Sequence, residues 1–151
     1  VLAEVYITQE EATRKLFPAL QEYKIENYSI DNQCPEGQGS HEVKVYTVIS
    51  EQKIVGWTVI LDEMGKVKPI TFLVGIDIHG KVLEVYVLEF RDLFGSEIKR
   101  KSFLRQFQDK SMNDTLMVGR DIDAVTGATI SSHAAASSVK KAIKVVEELR
   151  R

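Results

Sequence analysis

The residues most able to do chemistry lie near the end of the chain, between Asp121 and Ser132. Gly127 and Ala128 keep side-chain bulk away from the backbone there, and three hydroxyl groups follow where an apolar-striped segment begins. They belong to Thr129, Ser131 and Ser132. The free N–H groups and positive dipole end of a helix starting here would suit a phosphate. A simpler interpretation is that Thr129 or Ser131 caps the helix, and spacing alone favours it.

A regular apolar stripe follows this segment and predicts a helix from Ser131 to Arg150. Its members are Ala135, Val139, Ala142, Ile143, Val146 and Leu149. A weaker helical pattern after Gly95 predicts a short helix before the hydroxyl-rich segment. Its apolar members are Ile98, Phe103, Leu104 and Phe107.

The rest of the chain predicts one helix and then a run of strands. Thr8 and Glu11 have capping-box spacing, so a first helix is expected from Glu10 to Phe17, where Pro18 interrupts the pattern. From residue 42 the apolar period changes to two, after a loop-like stretch at 31–40. The expected hairpins pair residues 43–49 with 54–61 and residues 70–78 with 82–90, the second turning at His79-Gly80.

This order of elements predicts an α+β fold, an antiparallel β-meander packed by N-terminal and C-terminal helices. A length of 151 residues with 44% hydrophobic and 28% charged residues indicates a single globular domain spanning residues 1–151. The net charge of −2 provides no global field to gather nucleic acid, so no nucleic-acid partner is expected. The scattered histidines and single Cys34 indicate no metal site, and Trp57 is expected in the core.

The run Asp123-Ala124-Val125-Thr126-Gly127-Ala128-Thr129-Ile130-Ser131-Ser132 closely resembles the flavinylation motif of the FMN-binding domain family. That family is found in the G subunit of Rnf electron-transport complexes and the C subunit of sodium-translocating NADH:quinone reductase. Three other parts of the chain are also similar to segments of that family. They are the opening Thr8-Gln9-Glu10-Glu11-Ala12, the stretch Pro69–Asp77, and Ser102-Phe103-Leu104-Arg105-Gln106-Phe107. Many members of the family have a Glu-Thr-Pro-Gly-like segment after the last strand, and the corresponding stretch here, Leu88 to Gly95, differs from it. This stretch is more similar to the variant found in stand-alone domains of the family.

The resemblance implies that Thr129 carries FMN through a phosphoester, made by a separate flavin transferase. It also implies a phosphate shell formed by hydroxyls and backbone N–H groups of Thr126, Gly127, Ala128, Ser131 and Ser132. Asp123 stands where the motif requires a carboxylate, which is expected to serve recognition by the transferase.

The flat flavin ring needs a mostly apolar slot with a few polar groups. Phe90, Leu93 and Phe94 are the candidates for that slot, and Arg91 and Asp92 are the candidates for its polar edge. Each aromatic has the alternative of a plain core position.

The expected function is therefore electron transfer by an FMN-carrying module, with redox partner proteins that include membrane-bound ones, rather than stand-alone catalysis. The alternative is a redox-sensing or phosphate-ligand-binding module that passes no electrons onward. The first residue is Val1, not methionine, and together with the resemblance this leads us to expect an extracytoplasmic, periplasmic or cell-surface location with a signal or membrane anchor upstream.

Overall fold

A computed structural model describes residues 4–30 and 42–151. The expected loop at 31–40, Cys34 and His41 lie outside these described residues. Six strands and three helices follow one another in this order: β1 (Glu4–Val5), α1 (Gln9–Leu16), β2 (Glu22–Ser29), β3 (Glu42–Ser50), β4 (Lys53–Met64), β5 (Pro69–Asp77), β6 (Val82–Phe90), α2 (Lys101–Leu104) and α3 (Thr129–Arg150).

The strands form one antiparallel sheet in the order β1-β6-β5-β4-β3-β2. Strands β2 to β6 are each paired with their sequence neighbour, so the predicted meander is confirmed. The β3–β4 turn contains only Glu51 and Gln52, both at positive φ (51° and 65°), as a two-residue hairpin turn requires. In the β5–β6 turn the positive φ falls on Gly80.

Strand β2 was not predicted from the sequence. It lies at the edge of the sheet, and most of its side chains are exposed, so it lacks the one-face apolar alternation that reveals a half-buried strand. Its pairing with β3 runs along its whole length, from Glu22 opposite Ile49 to Ser29 opposite Glu42. The partner strand therefore determines its conformation.

The short helix predicted after Gly95 lies among three successive turns. A 3-10 turn at Ser96–Lys99 is separated from α2 by the extended residue Arg100, and a second 3-10 turn at Arg105–Phe107 follows α2. Ile98, Phe103 and Phe107 are buried, which explains the apolar pattern. The predicted short helix is therefore confined to α2, and the buried side chains on either side of it belong to 3-10 turns.

The N-terminal and C-terminal helices pack against the sheet, as predicted, and they lie on its opposite faces. Phe72 and Val74 of β5 belong to the main core with α3, whereas Leu73 between them packs in a second cluster with Ala12 of α1. Trp57 lies in the main core, at 3% exposure. In α1, the Thr8 hydroxyl accepts the Glu11 N–H (3.2 Å), which confirms the predicted cap.

The buried surface of α3 extends from Ser131 to Val146 and contacts β4 and β5. None of the helices in the described part of the chain combines the length and apolar character that a membrane crossing requires. At the start of α3 only Thr129 and Ile130 are exposed to solvent, because the buried surface begins at the next residue.

Candidate functional site

Helix α3 begins without a side-chain cap. Ala128 occupies the N-cap position, Thr129 is the first helical residue, and no side chain among residues 4–30 and 42–151 accepts a hydrogen bond from the helix start. The first intrahelical bond runs from the Ser132 N–H to the Ala128 carbonyl (2.9 Å). The capping interpretation of Thr129 or Ser131 was therefore wrong, and the N–H groups of the first turn remain available to an external acceptor.

The hydroxyl groups of the segment differ sharply in exposure. Thr126 and Thr129 are exposed, and neither hydroxyl has a hydrogen-bond partner in the described part of the protein. Ser131 and Ser132 are 1% and 0% exposed. The Ser132 hydroxyl accepts the Val125 N–H (3.1 Å) and donates to the Ala128 carbonyl (2.8 Å), so it stabilises the turn from within.

The turn before α3 leaves room beside Gly127. Gly127 has φ +82°, and a side chain there would meet no atom within 4 Å. Ala128, by contrast, is 3% exposed and anchors the turn in the core. The segment thus has a buried side, formed by Ala128 and the two serines, and an open side that contains Thr126, Gly127 and Thr129.

The Gln106 side chain, in the 3-10 turn at Arg105–Phe107, makes two hydrogen bonds to the backbone of Asp123. Its side-chain amide donates to the Asp123 carbonyl (3.0 Å), and its oxygen accepts the Asp123 N–H (2.7 Å). The Asp123 carboxylate is left exposed to solvent. The role of Gln106 was not predicted, since the two residues are 17 positions apart and only the fold brings them together.

We expect Gln106→Leu to lower the free energy of unfolding by about 1–2 kcal/mol, because it removes both hydrogen bonds to the Asp123 backbone. Urea denaturation measures the stability, and amide hydrogen exchange measures the opening at Asp123. Gln108→Leu is the matched control, because Gln108 is exposed and its side chain makes no hydrogen bond among the described residues. Equal stabilities of the two variants would contradict this role.

Asp121 closes the loop that leads into the motif. Its carboxylate accepts the N–H groups of Leu116 and Met117 (2.7 Å each) and the Thr115 hydroxyl (3.0 Å). Partial burial by itself raises the pKa of Asp121, but the hydrogen bonds from Met117, Leu116 and Thr115 outweigh it and lower the pKa to about 2. On either side, Leu116 and Ile122 are buried, at 1% and 0% exposure.

This lowered pKa predicts an acid-sensitive loop. The folded-state pKa lies below the unfolded one, so the stability that Asp121 contributes is fully present above about pH 4 and is lost as the pH falls towards 2. We therefore expect wild type to exceed Asp121→Asn in urea midpoint at pH 6, and the difference to shrink between pH 4 and pH 2. Asp109→Asn is the matched control for the loss of one exposed negative charge, since the Asp109 carboxylate accepts no hydrogen bond in the described regions. A difference for Asp121→Asn that is constant with pH would refute the assignment.

Gly95 joins the loop after β6 to the first turn of α3. It is buried, has φ +95°, and an added Cβ would collide with the Ser131 hydroxyl oxygen. Only glycine combines this backbone conformation with so close an approach. The contact places residues 91–95 at the same end of the fold as Thr129.

Of the five predicted ring contacts, one is buried in the core, two are held by hydrogen bonds, and two are exposed. Phe90 is 4% exposed and packs in the main core, as its alternative interpretation had it. Arg91 donates to the Pro69 carbonyl (2.9 Å) and pairs with Glu89. Asp92 accepts the N–H groups of Val67 and Lys68, which fastens the β4–β5 turn to this loop. Leu93 and Phe94 are 69% and 63% exposed.

The β4–β5 turn adds two residues that the sequence did not indicate. Val67 is 70% exposed. The Lys66 ammonium nitrogen lies 5.1 Å from the centre of the Phe94 ring. With Leu93 and Phe94 these residues form an exposed surface, mostly apolar with a cationic edge, which we call the apolar rim. No spacing rule connects residues 66–67 with 93–94, so only the structure reveals the association, through the Asp92 hydrogen bonds and the contact of Lys66 with Phe94.

The sequence model of the FMN-binding domain family matches residues 65–144, slightly more than half of the chain. The match contains the apolar rim, Gln106 and the whole hydroxyl-rich segment. The chain is also similar to the G subunit of the proton-translocating ferredoxin:NAD(+) oxidoreductase complex of Clostridium ljungdahlii, with 31% identity over 109 residues. That alignment covers 67% of this chain and 58% of the relative, so the chain spans less than two thirds of the relative's length. The resemblance noted in the sequence is thus confirmed: the chain belongs to the FMN-binding domain family, and FMN is its cofactor.

Proposed function

We propose that the chain carries FMN as a phosphoester on Thr129 and uses it to transfer electrons. The observation that carries this proposal is the exposed Thr129 hydroxyl, which has no protein partner among the described residues and stands on the first, uncapped turn of α3. The nearby Ser131 and Ser132 are buried, so they are poor substrates for an attaching enzyme. Thr126 is also exposed but precedes the helix, away from the first-turn N–H groups.

The start of α3 fits the phosphate of FMN. First-turn N–H groups without acceptors and the positive end of a 22-residue helix both favour an anion. The open space beside Gly127 lets an external group approach the backbone. Thr126, Gly127 and Ala128 would line the phosphate from the turn, and Ser131 would contribute its backbone N–H group, because its hydroxyl faces inward. Ser132 would only stabilise the turn, since its N–H donates to the Ala128 carbonyl and its hydroxyl is buried.

The apolar rim is the part of the described surface that we assign to the flavin ring. Leu93 and Phe94 would pack against it and exclude water from one side, and Lys66 supplies a positive charge at the edge. Phe90, Arg91 and Asp92 would act indirectly, by holding the loop and the β4–β5 turn in place. FMN itself supplies one- and two-electron redox chemistry.

The name of the Clostridium ljungdahlii relative supports the electron-transfer role, since it describes a subunit of a ferredoxin:NAD(+) oxidoreductase complex. We propose by analogy that this chain works with membrane-bound redox partners on the extracytoplasmic side. A separate flavin transferase would attach FMN and recognise the exposed Asp123 carboxylate, whose backbone Gln106 holds in a fixed position. A tether would prevent loss of the flavin where no FMN pool exists to replace it.

The maturation step is tested by expressing the chain with and without a flavin transferase and measuring its intact mass. Only the co-expressed protein should gain the mass of FMN minus water and remain yellow after denaturation. Equal masses in both preparations would contradict covalent attachment.

The electron-transfer role and the location need separate measurements. Membranes containing the proteins encoded beside this gene, supplied with reduced ferredoxin or NADH as the electron donor, should reduce the bound FMN within seconds, as measured by flavin absorbance. A flavin that stays oxidised under these conditions would favour the redox-sensing alternative. An alkaline phosphatase fusion to the full-length product should be active, because that enzyme matures only outside the cytoplasm. An inactive but stably expressed fusion would contradict the location.

A further inference from the structure

A cavity lies outside the hydroxyl-rich segment, along the outer edge of β6. It has a volume of about 380 Å³, within the range of small-molecule sites. One wall is the edge of β6 from Glu84 to Val87, and the other is formed by the turns around α2. None of its lining residues belongs to the segment 121–132.

The backbone of β6 lacks hydrogen-bond partners on its outer edge along the cleft, but it has such partners just beyond each end of the cleft. At one end the Tyr6 N–H donates to the Leu88 carbonyl (3.1 Å), next to the short pairing with β1. At the other end the backbone of Val82 bonds to Asp109 and Lys110 (2.8 and 2.9 Å). Among the described residues, no backbone group pairs with the outer edge between Leu83 and Val87. The cavity is therefore a bounded cleft and not a continuous groove.

The cleft concentrates positive charge in a chain whose net charge is −2. Lys99, Lys101 and Arg105 line it from the α2 side, and none of the described carboxylates forms an ion pair with Lys101 or Arg105. The only acidic residue in the lining is Glu84, whose carboxylate accepts the Tyr86 hydroxyl (2.7 Å). Three cations thus face one carboxylate that is already hydrogen-bonded.

The remaining lining is aromatic and apolar. Tyr6 and Tyr86 lie on the sheet side and Leu104 lies on the α2 side. The Lys99 ammonium nitrogen lies 4.3 Å from the centre of the Tyr6 ring, which links the two walls at the Leu88 end. A ligand in the cleft would therefore meet flat apolar surface along its body and ammonium and guanidinium groups at one side.

We propose that this cleft binds a small organic anion, namely a carboxylate on an aromatic or other apolar body. The cations would bind the carboxylate by charge-assisted hydrogen bonds, of which Arg105 can make a bidentate pair. The tyrosines and Leu104 would bury the body. A peptide strand fits less well, because both ends of the open edge are closed within the fold and an added strand could not continue past them.

Benzoate is a suitable probe, and benzamide is the uncharged control of the same shape. We expect benzoate to shift the backbone amide resonances of residues 84–87 and 101–105 of the FMN-loaded protein in a saturable way. The dissociation constant for benzoate should be on the order of 1 mM, because so small a ligand makes few contacts. Lys101→Gln/Arg105→Gln should weaken binding by about tenfold, whereas Lys24→Gln, on the exposed strand β2, removes a positive charge far from the cleft and should leave binding unchanged.

Four results would overturn the proposal. Benzamide binding as tight as that of benzoate would show that the cations do not select an anion. Equal binding by the double variant and wild type would show that Lys101 and Arg105 do not hold the carboxylate, and the absence of any saturable shift would show that benzoate does not bind. A five-residue acidic peptide that binds more tightly than benzoate and protects the amides of β6 from exchange would identify the cleft as a strand-pairing site instead.

Discussion

Thr129→Ala is expected to abolish covalent flavin while leaving the fold intact. The substitution removes the one exposed hydroxyl on the first turn of α3, so co-expression with a flavin transferase should yield no mass gain and no colour after denaturation. The Thr129 side chain is exposed, caps nothing and makes no hydrogen bond in the described regions. The change in unfolding free energy should therefore stay within about 0.5 kcal/mol, and far-UV circular dichroism should be unchanged.

Ser131→Ala is the matched control for this experiment. It removes a hydroxyl two residues further along the same helix, but one that is 1% exposed and faces Gly95. This variant should keep the full mass gain of FMN minus water. If Thr129→Ala still gained that mass, and peptide mapping placed the flavin on another residue, the assignment of Thr129 would fall.

Lys141→Met is expected to cause the largest loss of stability among the changes considered, about 3–5 kcal/mol in the free energy of unfolding. The Lys141 ammonium of α3 lies 2.6 Å from a carboxylate oxygen of Glu63 in β4, and the two side chains are only 8% and 6% exposed. The variant removes the Lys141 cation from the buried Glu63 carboxylate, in the layer that fixes α3 on the sheet. Urea denaturation gives the free energy directly.

Two further variants isolate the ion pair as the cause. Lys141→Met/Glu63→Leu should recover most of the loss, because two apolar side chains can replace a buried pair without leaving an unpaired charge. Arg14→Met breaks the exposed pair with Glu10, whose side chains are both 62% exposed, and should cost less than about 1 kcal/mol. A loss for Lys141→Met as small as that of Arg14→Met would show that the buried pair does not stabilise the fold.

Several elements could be predicted because their signals are local. The capping residues Thr8 and Glu11 and the alternation along β3 to β6 depend on residues close in sequence. Strand β2 could not be predicted, since neither of its faces is buried and its pairing with β3 alone determines it. The short helix predicted after Gly95 is confined to α2, because buried side chains on the neighbouring 3-10 turns continue the same apolar pattern.

The sequence by itself determined the α+β meander, the long C-terminal helix and the motif that identifies FMN as the cofactor, because each is written in short-range periodicity or in a contiguous run of residues. Only the tertiary structure decided which hydroxyls are accessible. Burial of Ser131 and Ser132 and exposure of Thr129 depend on how α3 packs against the sheet and Gly95. The tertiary structure alone also brought Gln106 to Asp123, 17 positions away, and Val67 to Asp92, 25 positions away. Hydrogen bonds over such separations have no periodic signature in the chain.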